Sequence, residues 1–168
     1  MSHLNNLFKD MKKIIGIICL GNPLRHDDGI GQELLQFLRR NKKSLPKTVD
    51  LLDGGTSGMN LLHVLEKYKI VILIDAVDFK GTPGEMKKFS VDEIKNQKIP
   101  LYLSTHEPDF LAVFNLATQL RKAPTTLVIF GIQPKDLSPG RGLSYEVQKA
   151  LLLLQKHIFA EIQSMIAP

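Results

Sequence analysis

Carboxylates, imidazoles and glycine-rich turns are the groups in this chain whose spacing could do chemistry. Within residues 21–31, G-N-P-L-R-H-D-D-G-I-G, two adjacent carboxylates, Asp27 and Asp28, follow His26. Further along, Asp53 opens D-G-G-T-S-G, Asp75 closes the apolar run I-V-I-L-I, and His106 lies in S-T-H-E-P-D. Two carboxylates and an imidazole can bind a borderline divalent metal and leave positions open for water or substrate. Phosphate binding, another use of glycines between a strand and a helix, is disfavoured. Neither G-x-G-x-x-G nor G-x-x-x-x-G-K-[ST] is present, and paired carboxylates would repel a pyrophosphate from a helix N-terminus. Capping of the following helix by Asp27 or Asp28 accounts for one aspartate, not two.

Each of these residues also has a plainer use. Asp75 could cap a helix or form a turn, although a charge after five apolar residues is costly to bury. His106 alone would be an ordinary exposed or capping histidine; its case rests on the company it keeps. Asp53 with its glycines fits turn chemistry as well as substrate binding, and His26, Glu107 and Asp109 are alternative ligands. No G-x-S-x-G or H-E-x-x-H occurs, and Ser57 and Ser104 have no identifiable base. The single cysteine, Cys19, sits mid-strand among isoleucines as a small buried hydrophobe, which excludes a disulfide or a thiolate zinc site. A hydrolase built from this chain must activate water with a metal or with carboxylates.

The elements that must position these groups alternate regularly between strand and helix. Short β-branched runs predict strands over 14–20, 48–52, 70–74 and 125–132, with a lysine-bearing edge strand over 85–90. Apolar residues at helical spacing predict helices over 28–41, 59–68, 108–121 and 144–165, the last capped by Ser144. This is an α/β pattern, in which ligands bind at the carboxyl ends of the strands. Parallel strands sharing one direction would bring Asp28, Asp53 and Asp75 to one rim, with His106 opening a helix nearby.

Length and composition set the outer limits. The 168 residues, 43% hydrophobic and 23% charged, predict one domain over 13–168 behind an N-terminal extension, 1–12, to which no function is assigned. The net charge of +5 is spread over scattered lysines, which argues against nucleic-acid binding. The first ten residues lack the layout of a signal peptide, and no apolar run reaches the ~20 residues of a membrane-spanning helix. A cytoplasmic protein is expected.

Taken in order, G-N-P-L-R-H-D-D-G-I-G, D-G-G-T-S-G-M-N-L-L, I-D-A-V and S-T-H resemble the hydrogenase maturation proteases. Residues 81–85, G-T-P-G-E, 131–134, G-I-Q-P, and 142–144, G-L-S, extend the likeness to the final helix. The family trims the C-terminal extension from the large subunit of nickel–iron hydrogenases once nickel has entered it. The resemblance implies a single three-layer domain, with a twisted, mostly parallel five-stranded sheet and helices on both faces. It also implies that Asp28, Asp75 and His106 form the nickel-recognition and catalytic set, where some members carry Glu at the first position. Asp53, Gly54, Gly55, Thr56 and Ser57 match a segment lining the substrate cleft. The nickel would be supplied by the substrate, although another divalent ion could occupy the site. The partner implied is the large-subunit precursor, met by a monomer. Two other readings stay open: a non-catalytic nickel-site chaperone, and an independent metal-dependent hydrolase of small molecules.

Overall fold

The computed structural model describes residues 13–56, 60–91, 93, 102–103 and 107–166. Its strands are β1 (Lys13–Leu20), β2 (Val49–Gly55), β3 (Tyr68–Asp78), β4 (Met86–Ser90), β5 (Tyr102–Leu103) and β6 (Thr126–Ile132). Its helices are α1 (Ile30–Arg40), α2 (Asn60–Leu65), α3 (Glu107–Gln119) and α4 (Tyr145–Ile166). The main sheet runs β2-β1-β3-β6-β4, parallel except for the edge strand β4, which is antiparallel to β6. This is the expected five-stranded, mostly parallel sheet; β5 adds two antiparallel residues to the end of β3.

Helices cover both faces, which is why the inner strands are apolar throughout. On one face α1 and α4 pack on Ile17, Cys19, Ile72, Ile74 and Phe130. On the other, α2 and α3 cover Ile18, Leu20, Val71, Leu73 and Ile129. Helix α1 buries Ile30, Leu34, Leu35 and Leu38. Each such side chain stabilises the fold by roughly 1.5–3 kcal/mol. The Arg39-Arg40 pair closes α1 where the helix dipole favours cations. No helix among the described residues is long and apolar enough to cross a membrane.

Three element boundaries differ from the sequence expectation by more than two residues. Strand β3 does not stop before Asp75 but continues to Asp78, because Asp75 and Ala76 pair with Gly131 and Ile132 while Val77 and Asp78 pair with β5. Strand β2 likewise carries through Asp53-Gly54-Gly55, held by Cys19 and Leu20 of β1. Helix α2 ends at Leu65 rather than 68, and it buries Leu61 and Leu65 but not fully Leu62. Tyr68 instead begins β3 opposite Lys13, and its hydroxyl donates to Asp50 Oδ2 at 2.9 Å.

Candidate functional site

Because β1, β2, β3 and β6 are parallel, they finish at one rim, and Asp28, Asp53 and Asp75 are all there. Asp28 reaches it through a short 3-10 turn, His26–Gly29, which links β1 to α1 and packs against β3. Gly21 makes the entry to this loop possible. It has φ +125°, its N–H donates to Gly55 O at 2.8 Å, and a Cβ there would collide with the carbonyl oxygen of Asp28. The loop thus folds its own end back over its beginning. Asp28 is fully buried, and its Oδ2 accepts from Asn22 N–H at 3.0 Å.

Asp75 is also fully buried, with Oδ1 accepting from Ala76 N–H at 2.8 Å. Strand alternation sets it in line with Val71, Leu73 and Val77, the face that α2 and α3 cover. Burying ionised carboxylates carries a desolvation cost of several kcal/mol per ion unless partners offset it. Two fully buried carboxyl groups concentrate oxygen donors at this rim.

His106 and Ser57 lie outside the described residues. The neighbouring elements are described: β5 pairs with Val77–Asp78 just beyond Asp75, and α3 begins at Glu107 with Asp109 in its first turn. Among the described residues alone, no group of three His, Cys, Asp or Glu is placed to hold a metal ion. His26, an alternative ligand by sequence, is engaged elsewhere. Its Nδ1 lies 3.1 Å from Gly142 O, its backbone has φ +42°, and its ring fills the space a Cβ on Gly140 would need.

On the α2 face of the rim, Asp53, Gly54, Gly55 and Thr56 line a cleft of ≈ 310 Å³ with Ile18, Leu52, Leu61 and Val64. Asp53 is exposed, and its Oδ1 accepts from Gln32 Nε2 at 2.8 Å and from Gly55 N–H at 2.9 Å. Its described contacts therefore shape the turn, while the glycines keep the cleft open. A Cβ on Gly54 would press on Leu20 and Ile18.

Two buried polar side chains escaped sequence reasoning. Neither Asp27 nor Asp28 caps α1, whose N-cap is Gly29 with no side-chain bond. Asp27 instead reaches across to the β6–α4 connection. Its Oδ2 accepts from Lys135 N–H at 2.8 Å, Asp136 N–H at 2.9 Å and Ser144 Oγ at 2.9 Å, and its Oδ1 accepts from Ser144 N–H at 2.6 Å. Ser144 does stand at the start of α4, but its hydroxyl donates to Asp27. Gln133 is the second. Its Oε1 accepts from the N–H groups of Phe79 and Gly81, each at 3.0 Å, and its Nε2 donates to Asp78 Oδ1 at 3.0 Å. Hydrogen bonds from Lys80, with smaller help from Gln133, hold the Asp78 carboxyl below the usual range. The only signal for Asp27 was the doubling of aspartates; for Gln133 it was G-I-Q-P following a strand.

The chain is similar to known proteins in sequence and in fold. A family model described as hydrogenase maturation protease matches residues 33–161. A relative from Methanocaldococcus jannaschii, named as a hydrogenase maturation protease, is 38% identical over 159 residues, covering 90% of this chain and 98% of that protein. The hydrogenase expression/formation protein HupD of Bradyrhizobium diazoefficiens is 33% identical over 126 residues, covering 75% of this chain and 65% of HupD. The chain thus spans a little under two thirds of that longer relative. Among solved structures, the hydrogenase maturating endopeptidase HybD from E. coli superposes with a TM-score of 0.80 at 26% identity, covering 90% of this chain and 93% of HybD.

Proposed function

The chain belongs to the hydrogenase maturation protease family, and we propose that it is an endopeptidase that removes the C-terminal extension of a nickel–iron hydrogenase large subunit after nickel insertion. The observation that carries this reading is the pair of fully buried carboxylates, Asp28 and Asp75, on the rim beside one short turn. Oxygen donors of that kind, with the imidazole of His106, suit nickel that substrate cysteines hold only in part. The metal here is part of the substrate, so a high-affinity resident ion is unnecessary.

In this account Asp28, Asp75 and His106 recognise the loaded centre and so hold the precursor's tail against the rim. Asp53, Gly54, Gly55 and Thr56 border the cleft that takes the tail, and Ser57 follows them in the chain. The glycines let an extended backbone approach closely, and fixing the scissile bond removes much of the entropic part of the barrier. Cys19 offers no thiolate, being buried with its thiol pushed far above the usual range by desolvation. Water is the attacking group in this reading, with a rim carboxylate as its base, as in an aspartyl protease. The protein works as a monomer in the cytoplasm, where the precursor is made.

Intact mass of a nickel-loaded precursor, before and after incubation with the protein, tests the reading. Loss of the C-terminal extension is expected with the wild-type protein and not with Asp28→Asn. Binding without shortening would identify a chaperone instead. Small-molecule turnover with no action on the precursor would identify an independent hydrolase.

A further inference from the structure

We propose that Asp27 is a positioning residue, whose side chain anchors the turn bearing Asp28 to the β6–α4 connection and so fixes where the Asp28 carboxylate points. The inference rests on the reading of Asp28 as a site residue. A 3-10 turn has three residues per revolution, so adjacent side chains leave it about 120° apart. The doubled aspartate is thereby divided between two directions. Asp28 turns back to the N–H of Asn22, while Asp27 turns outward to residues 135, 136 and 144.

The anchor is fully buried and accepts four hydrogen bonds from groups more than a hundred positions away in the chain. Three of those donors are backbone N–H groups, which cannot be removed by changing their side chains. Around them the two segments are laced by backbone bonds, from His26 N–H to Gly140 O at 3.1 Å, Gly140 N–H to Leu24 O at 2.9 Å and Asp27 N–H to Asp136 O at 3.0 Å. His26 Nδ1, 3.1 Å from Gly142 O, adds one more tie between the same two segments. The 3-10 segment itself has no side-chain cap, and His26 is kept at positive φ. Without Asp27 the donors at 135, 136 and 144 would lose their shared acceptor, and the turn would gain freedom just where Asp28 leaves it.

The chemistry requires a carboxylate in particular. Both oxygens of Asp27 face donors, so an asparagine would turn an NH2 group toward at least one N–H, most severely toward Ser144 N–H at 2.6 Å. Asp27→Asn therefore keeps the volume and breaks the match.

The test reads the geometry separately from the activity. Hydrogen exchange of the Asn22 amide, the donor to Asp28 Oδ2, is compared in wild-type protein and Asp27→Asn, with the Ile72 amide of the central strand as internal standard. Processing of nickel-loaded precursor is followed in parallel. Losing one good acceptor corresponds to about a tenfold change. Asn22 exchange should be about tenfold faster, Ile72 unchanged, and processing at least tenfold slower. Wild-type exchange at Asn22 in folded Asp27→Asn would overturn the proposal, whatever happens to processing. Faster exchange at Asn22 with undiminished processing would uphold the positioning role and instead remove Asp28 from the reaction. Should Asp27→Asn fail to fold, Ser144→Ala removes only the hydroxyl bond, and a smaller shift in the same direction at Asn22 is expected. No shift there would overturn the proposal.

Discussion

The two ends of the sheet treat buried acids in opposite ways. Where the strands begin, half-buried Asp50 meets the hydroxyl of Tyr68, whose ring lies against Gly16. Burial and the hydrogen bond to Asp50 push that phenol far above its usual range, so it remains a donor at any ordinary pH. Where the strands finish, Asp27, Asp28 and Asp75 have no exposure at all. Asp27 is enclosed by four donors from another segment. The contrast separates what a fold needs from what a site needs. A half-buried polar pair on a parallel sheet is inexpensive, whereas burying several carboxylates on one rim is costly, which marks that rim as the candidate site.

The largest expected effect is at the rim. Asp28→Asn or Asp75→Asn should lower processing of nickel-loaded precursor by on the order of 100-fold or more, because substrate placement would be lost. The thermal midpoint should stay near the wild-type value, since asparagine keeps the volume and an oxygen able to accept from the N–H of Asn22 or Ala76. Unfolding of either variant, seen by circular dichroism, would erase the distinction between the two ends. Asp27→Ala sharpens it from the other side. Four donors lose their acceptor at once, so a loss of roughly 2–4 kcal/mol is expected in urea unfolding.

Smaller effects are expected away from the rim. Tyr68→Phe should cost about 1 kcal/mol in urea unfolding by removing the donor to Asp50, with processing at the wild-type rate. Cys19→Ala removes a small buried group opposite Ile74 and should cost on the order of 1 kcal/mol, again sparing activity. Native Cys19 should also resist alkylation at pH 8, since burial keeps it a thiol. A large fall in processing from either change would mean that the far end and the core are coupled to the rim.

Much of the rim could be read from the chain before any coordinates, whereas Tyr68 reads as the end of a helix rather than the partner of Asp50. The run at 14–20, the helical spacing after Asp28 and the lysines of β4 each specify their element through local pattern alone. The common direction of the strands then places Asp28, Asp53 and Asp75 together. What stayed hidden depends on distant partners. The extension of β3 past Asp75 requires Gly131 and Ile132 of β6, and no local signal announces that pairing. The role of Asp27 depends on Lys135, Asp136 and Ser144, and its adjacency to Asp28 made the pair look like one feature. Gln133 reads as an ordinary turn residue until the loop that it holds, through Phe79 and Gly81, is seen beside it.

The central claim is that the rim recognises a metal-loaded centre rather than a peptide sequence. Three substrates decide it: nickel-loaded precursor, nickel-free precursor and the isolated C-terminal peptide, each incubated anaerobically with excess metal-stripped protein and analysed by intact mass. The expected result is cleavage of the loaded precursor alone, because the other two lack the contacts that hold the scissile bond in place. Efficient cutting of the nickel-free precursor would contradict the account and leave a protease directed by sequence.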